Sequence, residues 1–133
     1  MTAETAEAYT GNYFAKDYTY TVHVKPHVGL SHLAAVRVQG AMRGYHVGFD
    51  GENEVSFYIN DFGYKKLASV SYPWQHEQDY VFKVTVQGSE ITLFINEEEV
   101  IKHTDNTFEY GMFGVSTIAA ARTSYSNMRF SEI

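Results

Sequence analysis

Side-chain character alternates with a period of two along most of this chain, and that restricts what it can build. From Tyr18 to Val24 the sequence sets Tyr18, Tyr20, Val22 and Val24 on one face of an extended segment and Thr19, Thr21 and His23 on the other. Successive side chains of a strand point to opposite faces, so such a segment buries one face and leaves the other wet. The pattern recurs through Leu33–Gln39, Tyr45–Asp50, Val55–Asn60, Tyr80–Val86 and Ile91–Ile95. Shorter or weaker versions run through Tyr64–Ser71, Val100–His103, Gly111–Ile118 and Thr123–Phe130. Asp50-Gly51, Asn60-Asp-Phe-Gly63 and Gly88-Ser89 supply turns between them. Pro26 ends the first strand or marks a sheet edge. Ala119-Ala-Ala-Arg122 alone holds good helix formers in a row, and it is too short to stand as a helix. About ten short strands joined by short turns predict an all-β chain folded as a two-sheet antiparallel β-sandwich.

Composition bounds the function. The chain has 133 residues, which suits one domain with a real core. It has no cysteine, which excludes a disulfide scaffold, a thiolate zinc site and a cysteine nucleophile. Its formal charge of -6 argues against nucleic acid as a partner, because phosphates require a basic footprint. No apolar run approaches the roughly 20 residues of a membrane span, so no membrane partner is expected. Residues 1–8 lack the basic and apolar regions of a signal peptide and read as a disordered lead-in or a boundary within a longer chain. The sandwich domain is then expected over 9–133.

The constellations of an enzyme are missing from the sequence. The six histidines (His23, His27, His32, His46, His76 and His103) form no His-x-His or His-Glu-x-x-His pattern. Gly114-Val-Ser-Thr-Ile118 shares only the first half of a nucleophile elbow and lies in an expected strand. Glu97, Glu98 and Glu99 are consecutive, so neighbours point to opposite faces of a hairpin loop rather than pairing across a scissile bond. No cofactor is expected. Asp50, Asp79, Asp105 and Glu109 lie in loops and leave a structural Ca2+ open, although no Asp-x-Asp-x-Asp-Gly loop supports it.

The outward face of one meander is richer. Strands 33–39, 44–50 and 54–60 should neighbour one another, with Val36, Val38, Tyr45, Val47, Phe49, Val55, Phe57 and Ile59 turned inward. Their other face then carries Arg37, Gln39, His46, Ser56, Tyr58 and Asn60, spaced by Ala35 and Gly48. Planar hydrogen-bonding groups beside one aromatic ring suit a polyhydroxylated ligand, and they equally suit a plain solvent face. Ser116 and Trp74 are placed at the rim. Trp74, after Pro73 in the longest irregular stretch, reads either as a stacking platform or as a plug folded into one end of the sandwich.

Three stretches resemble a known family: Leu33-Ala-Ala-Val-Arg-Val-Gln39, Gly44-Tyr-His-Val-Gly-Phe49 and Glu54-Val-Ser-Phe-Tyr58. With Tyr72-Pro-Trp74, Tyr80–Val86, Ile91–Ile95 and Gly111-Met-Phe-Gly-Val-Ser116, their order is similar to that of laminin-G/concanavalin-like sandwich modules, including the exo-inulinase type. From Tyr9-Thr-Gly-Asn-Tyr-Phe14 to Phe130 the chain looks most like the C-terminal sandwich of some bacterial ADP-ribosylglycohydrolase-like proteins. The resemblance implies a concanavalin-like jelly roll. It also implies a non-catalytic, carbohydrate-binding accessory module that tethers or orients a covalently linked glycoside- or ADP-ribosyl-hydrolase domain.

The expected ligand is a glycan or sugar-containing molecule held by Arg37, Gln39, His46, Tyr58 and Asn60, with Ser116 and Trp74 at the edge. Arg37 would pair with vicinal hydroxyls and Tyr58 would offer its ring. Two rival classes stand beside this expectation. One is a structural domain that packs on its own enzyme or on a second copy, through a patch such as Phe94 beside Thr92. The other is an autonomous hydrolase acting through an acid such as Asp50 or Glu109.

Overall fold

The computed structural model describes residues 6–133 and is built of strands. In chain order these are β1 (Ala6–Thr10), β2 (Tyr18–Val28), β3 (Ser31–Gly40), β4 (Arg43–Asp50), β5 (Glu54–Asp61), β6 (Tyr64–Ser71), β7 (Tyr80–Gln87), β8 (Glu90–Ile95), β9 (Glu98–Thr104), β10 (Met112–Thr117) and β11 (Arg122–Glu132). They form a six-stranded sheet in the order β1-β10-β3-β4-β5-β6 and a five-stranded sheet in the order β11-β2-β7-β8-β9. Every pairing is antiparallel. The expected sandwich is therefore the observed one.

The alternation in the sequence becomes the core directly. Tyr18, Tyr20, Val22 and Val24 of β2 and Phe82, Val84 and Val86 of β7 face Val36, Tyr45, Val47, Phe49, Val55 and Phe57 of the other sheet, all of them buried. Burying a side chain of this size stabilises by about 1.5–3 kcal/mol. Aromatic pairs add direction to the packing: Phe49 meets Tyr80 and Phe82 edge-on at 4.8 and 5.0 Å, and Phe113 stacks on Phe130 at 5.0 Å.

Several tyrosines bury their rings and spend their hydroxyls on loop backbone. The Tyr80 hydroxyl accepts from the Gln75 amide at 2.9 Å, and the Tyr45 hydroxyl accepts from the Phe108 amide at 3.2 Å. A phenol at the rim of the core thus satisfies orphan groups of a connection while its ring stays dry.

Residues 6–8 depart from the expected lead-in. Ala6–Thr10 is an edge strand, with Glu7 opposite Ser116 and Tyr9 opposite Gly114. Its two alanines gave little apolar signal, and what holds it is the backbone ladder to β10. Residues 1–5 lie outside the described residues. The close approach of β1 depends on Gly114: a Cβ there would collide with the Ala8 carbonyl oxygen and lie 2.6 Å from Tyr9 Cα. Gly114→Ala is therefore expected to loosen β1. Amide hydrogen exchange should show Ala6–Thr10 losing protection while β2 and β7 keep theirs, with a global loss of about 1–3 kcal/mol.

Candidate functional site

The expected outward placement of Arg37 is overturned by a bulge. The β3–β4 register shifts between Val36 and Gly40, and Arg37 adopts a left-handed φ of 48°. A bulge inserts one residue and breaks the alternation. Val38 consequently joins the outer face, its Cγ2 3.2 Å from where a Cβ on Gly44 would stand. Arg37 turns to the end of the core instead, and its side chain is only 2% exposed. Its amide donates to the Tyr18 hydroxyl at 2.7 Å.

The guanidinium of Arg37 holds two loops. Nε and Nη2 donate to the Lys16 carbonyl at 3.3 and 3.0 Å, and Nη1 donates to the Phe108 carbonyl at 3.1 Å. Nη2 also reaches the Asp17 carboxylate at 3.3 Å. Burial draws the Arg37 pKa below its ordinary value. Gln39, expected on the same outward face, donates to the Tyr110 carbonyl at 2.9 Å and fastens the same loop as Phe108. Gly111 lets that loop approach: a Cβ at its φ of 153° would lie 2.6 Å from the Val38 nitrogen.

Above Arg37 opens a cleft of about 360 Å³. Lys16 and Asp17 from the β1–β2 loop, Gly88 and Ser89 from the β7–β8 turn, and Asn106 and Glu109 from the β9–β10 loop form its walls. Asp17 is fixed in place, since its Oδ1 also accepts from the Gly88 amide at 2.9 Å. The cleft offers donors beside acceptors, with Asp17 held between Arg37 and Gly88, and its four charged groups balance.

His46, Tyr58, Asn60 and Ser116 do come together, on the outer face of the six-stranded sheet. Ser116 Oγ and His46 Nδ1 share a hydrogen bond of 2.7 Å. Glu7 of the edge strand completes the group, accepting from the Tyr64 hydroxyl at 2.5 Å and from Asn60 Nδ2 at 3.3 Å. In a flat sheet β1 and β6 would stand about 24 Å apart, five spacings of about 4.8 Å. The Glu7–Tyr64 bond therefore shows that the sheet curls strongly and that its outer face is spanned by its own side chains. His46, Asn60 and Ser116 are buried there.

Tyr58 donates to Asp50 at 2.5 Å, abuts Tyr64 at 6.4 Å and has the Lys66 ammonium 5.7 Å from its ring centre. Its ring is thus occupied by its neighbours rather than free as a platform. Glu7 and Tyr64 were missed by sequence reasoning, because one lay in the supposed lead-in and the other five strands away across the sheet. No local signal joins them.

Two atoms of this network have no partner: Glu7 Oε1 and His46 Nε2, 4.0 Å apart. Burial lowers the His46 pKa to about 4, and burial raises that of Glu7 against the hydrogen bonds from Tyr64 and Asn60. Glu7, His46 and Ser116 repeat the residue types of a nucleophilic relay. The Ser116 residue is 3% exposed, however, so its hydroxyl offers no approach to an acyl group.

Trp74 is the plug. It stacks on Phe49 at 4.7 Å with planes 9° apart and donates to the Gly51 carbonyl at 3.0 Å. That contact lies at the end of the sandwich opposite the cleft, beside a smaller hollow of about 220 Å³. Phe94 is half-buried beneath the Lys83 ammonium, 4.6 Å from its ring centre. Among the described residues no three His, Cys, Asp or Glu side chains converge on a metal position. Asp105 is engaged with Tyr45 and the Thr107 amide.

No protein-family model matches the chain, and no curated protein does. Solved structures do. The carbohydrate-binding module CBM66 from Bacillus subtilis aligns with a TM-score of 0.87 at 19% identity, over 99% of this chain and 84% of that one. Sheep galectin-11, solved in complex with glycerol, gives 0.68 at 10% identity over 98% and 100%. CG-16, a homodimeric agglutinin from chicken liver, gives 0.70 at 12% identity over 95% and 100%. At these identities the likeness is one of fold.

The buried network makes stability depend on pH. His46 is neutral in the fold at a pKa of about 4 and takes up a proton near 6.5 once unfolded. The unfolded chain therefore binds the extra proton, and stability falls as pH drops from 7 to 4, by about 3 kcal/mol from this residue. Glu7 works in the opposite sense, since its raised pKa lets the fold take up its proton first. In urea titrations at pH 7 and pH 4, His46→Gln should show a smaller stability difference than the wild type. An equal difference in both would remove His46 as the cause.

Proposed function

We propose that this chain is a non-catalytic carbohydrate-binding module whose ligand enters the cleft above Arg37. The observation that carries the reading is the cleft itself: about 360 Å³, walled by Lys16, Asp17, Ser89, Asn106 and Glu109, with Asp17 fixed by two donors. A sugar hydroxyl both donates and accepts, so it is read best where donors and acceptors alternate on a rigid frame. The volume lies within the range of small-ligand sites. Likeness in fold to a protein named as a carbohydrate-binding module supports the same reading.

Hydrolysis fits the cleft less well. A glycosidase pair needs one acid that keeps its proton, usually through burial. Asp17 is half-exposed and held by its donors, and Glu109 is exposed. The role that follows is to hold a covalently linked glycoside- or ADP-ribosyl-hydrolase domain at its substrate. A shallow open site binds weakly, on the order of 10 µM to 1 mM or about -7 to -4 kcal/mol. Such affinity is useful when tethering raises the local concentration of the attached enzyme.

A glycan array followed by calorimetry tests this. Glu109→Gln and Asn106→Ala are each expected to weaken the best glycan tenfold or more while leaving the thermal midpoint in place. Unaltered titrations would move the site elsewhere. A dimer in sedimentation with no glycan bound would establish the self-associating alternative. Turnover that Glu109→Gln abolishes would establish a hydrolase.

A further inference from the structure

Beside the cleft, three aromatic rings stand outside the core and against one another. Tyr13 and Phe14 meet at 5.1 Å, Tyr13 and Tyr110 at 5.6 Å, and Phe14 and Tyr110 at 5.8 Å. Phe14 is 70% exposed and Tyr13 38%. The backbone that bears them is fixed. The Phe14 amide donates to Asn12 Oδ1 at 2.9 Å, the Gly111 amide to the Ala15 carbonyl at 2.9 Å, and Gln39 to the Tyr110 carbonyl at 2.9 Å. Three rings thus gather into one small apolar patch on a fixed backbone.

We propose that Tyr13, Phe14 and Tyr110 form a stacking platform for a second ring of a neutral oligosaccharide whose neighbouring ring sits in the cleft, an inference that rests on the cleft reading above. The two places share their supports. Phe14 precedes the cleft residue Lys16 by two positions, and Tyr110 follows the cleft residue Glu109. Arg37 holds the loop under the cleft, and Gln39, two residues further along the chain, holds it under the rings.

Charge and size both favour this occupant. Lys16 and Arg37 balance Asp17 and Glu109 at the cleft, so it carries no net attraction for an anionic ligand. The exposed parts of three rings amount to roughly 200–300 Å², taking about 150–250 Å² for a whole aromatic side chain. A stable protein interface needs about 800 Å² on each partner. A patch this small beside a polar cleft suits an amphipathic ring, with hydroxyls for the walls and a C–H face for the aromatics.

Calorimetry with gluco-, xylo-, manno- and fructo-oligosaccharides of one to six units, and with ADP-ribose, tests the inference. For the series that binds, wild-type affinity should rise about tenfold or more from one unit to several. Phe14→Ala/Tyr110→Ala should bind every length as it binds the monosaccharide, and Phe14→Trp should keep the rise. Asn106→Ala should weaken all lengths alike. A length preference that survives loss of both rings, or no length preference in the wild type, overturns the platform and leaves the cleft reading standing. Binding by none of the sugars overturns both. ADP-ribose bound more tightly than any oligosaccharide, and lost with the rings, overturns the assignment of a neutral ligand. A dimer that dissociates on Phe14→Ala/Tyr110→Ala shows the rings to be a self-contact and overturns the platform as well.

Discussion

One buried cation organises the loop end of this molecule. The Arg37 guanidinium lies where strand β3 bulges, and its donors are spent on the carbonyls of Lys16 and Phe108 and on the Asp17 carboxylate. A buried charge is costly unless its donors are satisfied, so the two loops that supply acceptors are as necessary to Arg37 as it is to them. The bulge is what makes this possible. Without the left-handed residue, Arg37 would point away from both loops, and nothing else on β3 would replace its planar fork. Truncating it would leave carbonyls without donors and Asp17 without its cation, which is why substitutions at the exposed rim read function more cleanly than substitutions at the floor.

The outer face of the six-stranded sheet and the loop end of the sandwich divide the polar residues between them. The curled outer face gathers Glu7, His46, Asn60, Tyr64 and Ser116 into a buried network. Most of the groups that the alternation assigns to a ligand there bond to one another, with Glu7 Oε1 and His46 Nε2 left unpaired. The loop end keeps its polar groups in water and its backbone fixed. Asp17 is held there by Arg37 and by the Gly88 amide, while Lys16, Asn106 and Glu109 stand exposed around it.

Most of the architecture was legible because strands declare themselves locally. Tyr18–Val24 and Tyr80–Val86 bury the faces that their alternation names. The site was less legible for reasons that are also local. Arg37 obeys the alternation in sequence and breaks it in space, since a single φ of 48° leaves no mark in composition. Glu7 belongs to an alanine-bearing strand that hydrogen-bonds to β10 more than a hundred positions later. The alternation puts His46, Tyr58 and Asn60 on one face, and the fold brings Ser116, expected at the rim, against His46. The burial of His46, Asn60 and Ser116 arises from sheet curvature, which no window of sequence contains. Tyr13 and Phe14 lie in a turn with no period at all, and only the folded chain sets Tyr110 beside them.

The single tryptophan lies stacked on Phe49 at the end of the sandwich away from the cleft. Its indole nitrogen is bonded to the β4–β5 turn, so its surroundings are those of the closed core. Emission from this chain is thus an internal gauge of whether the sandwich is shut and stays indifferent to events at the other end. Unfolding would bring the indole into water, so the shift of its emission follows the opening of that end of the sandwich.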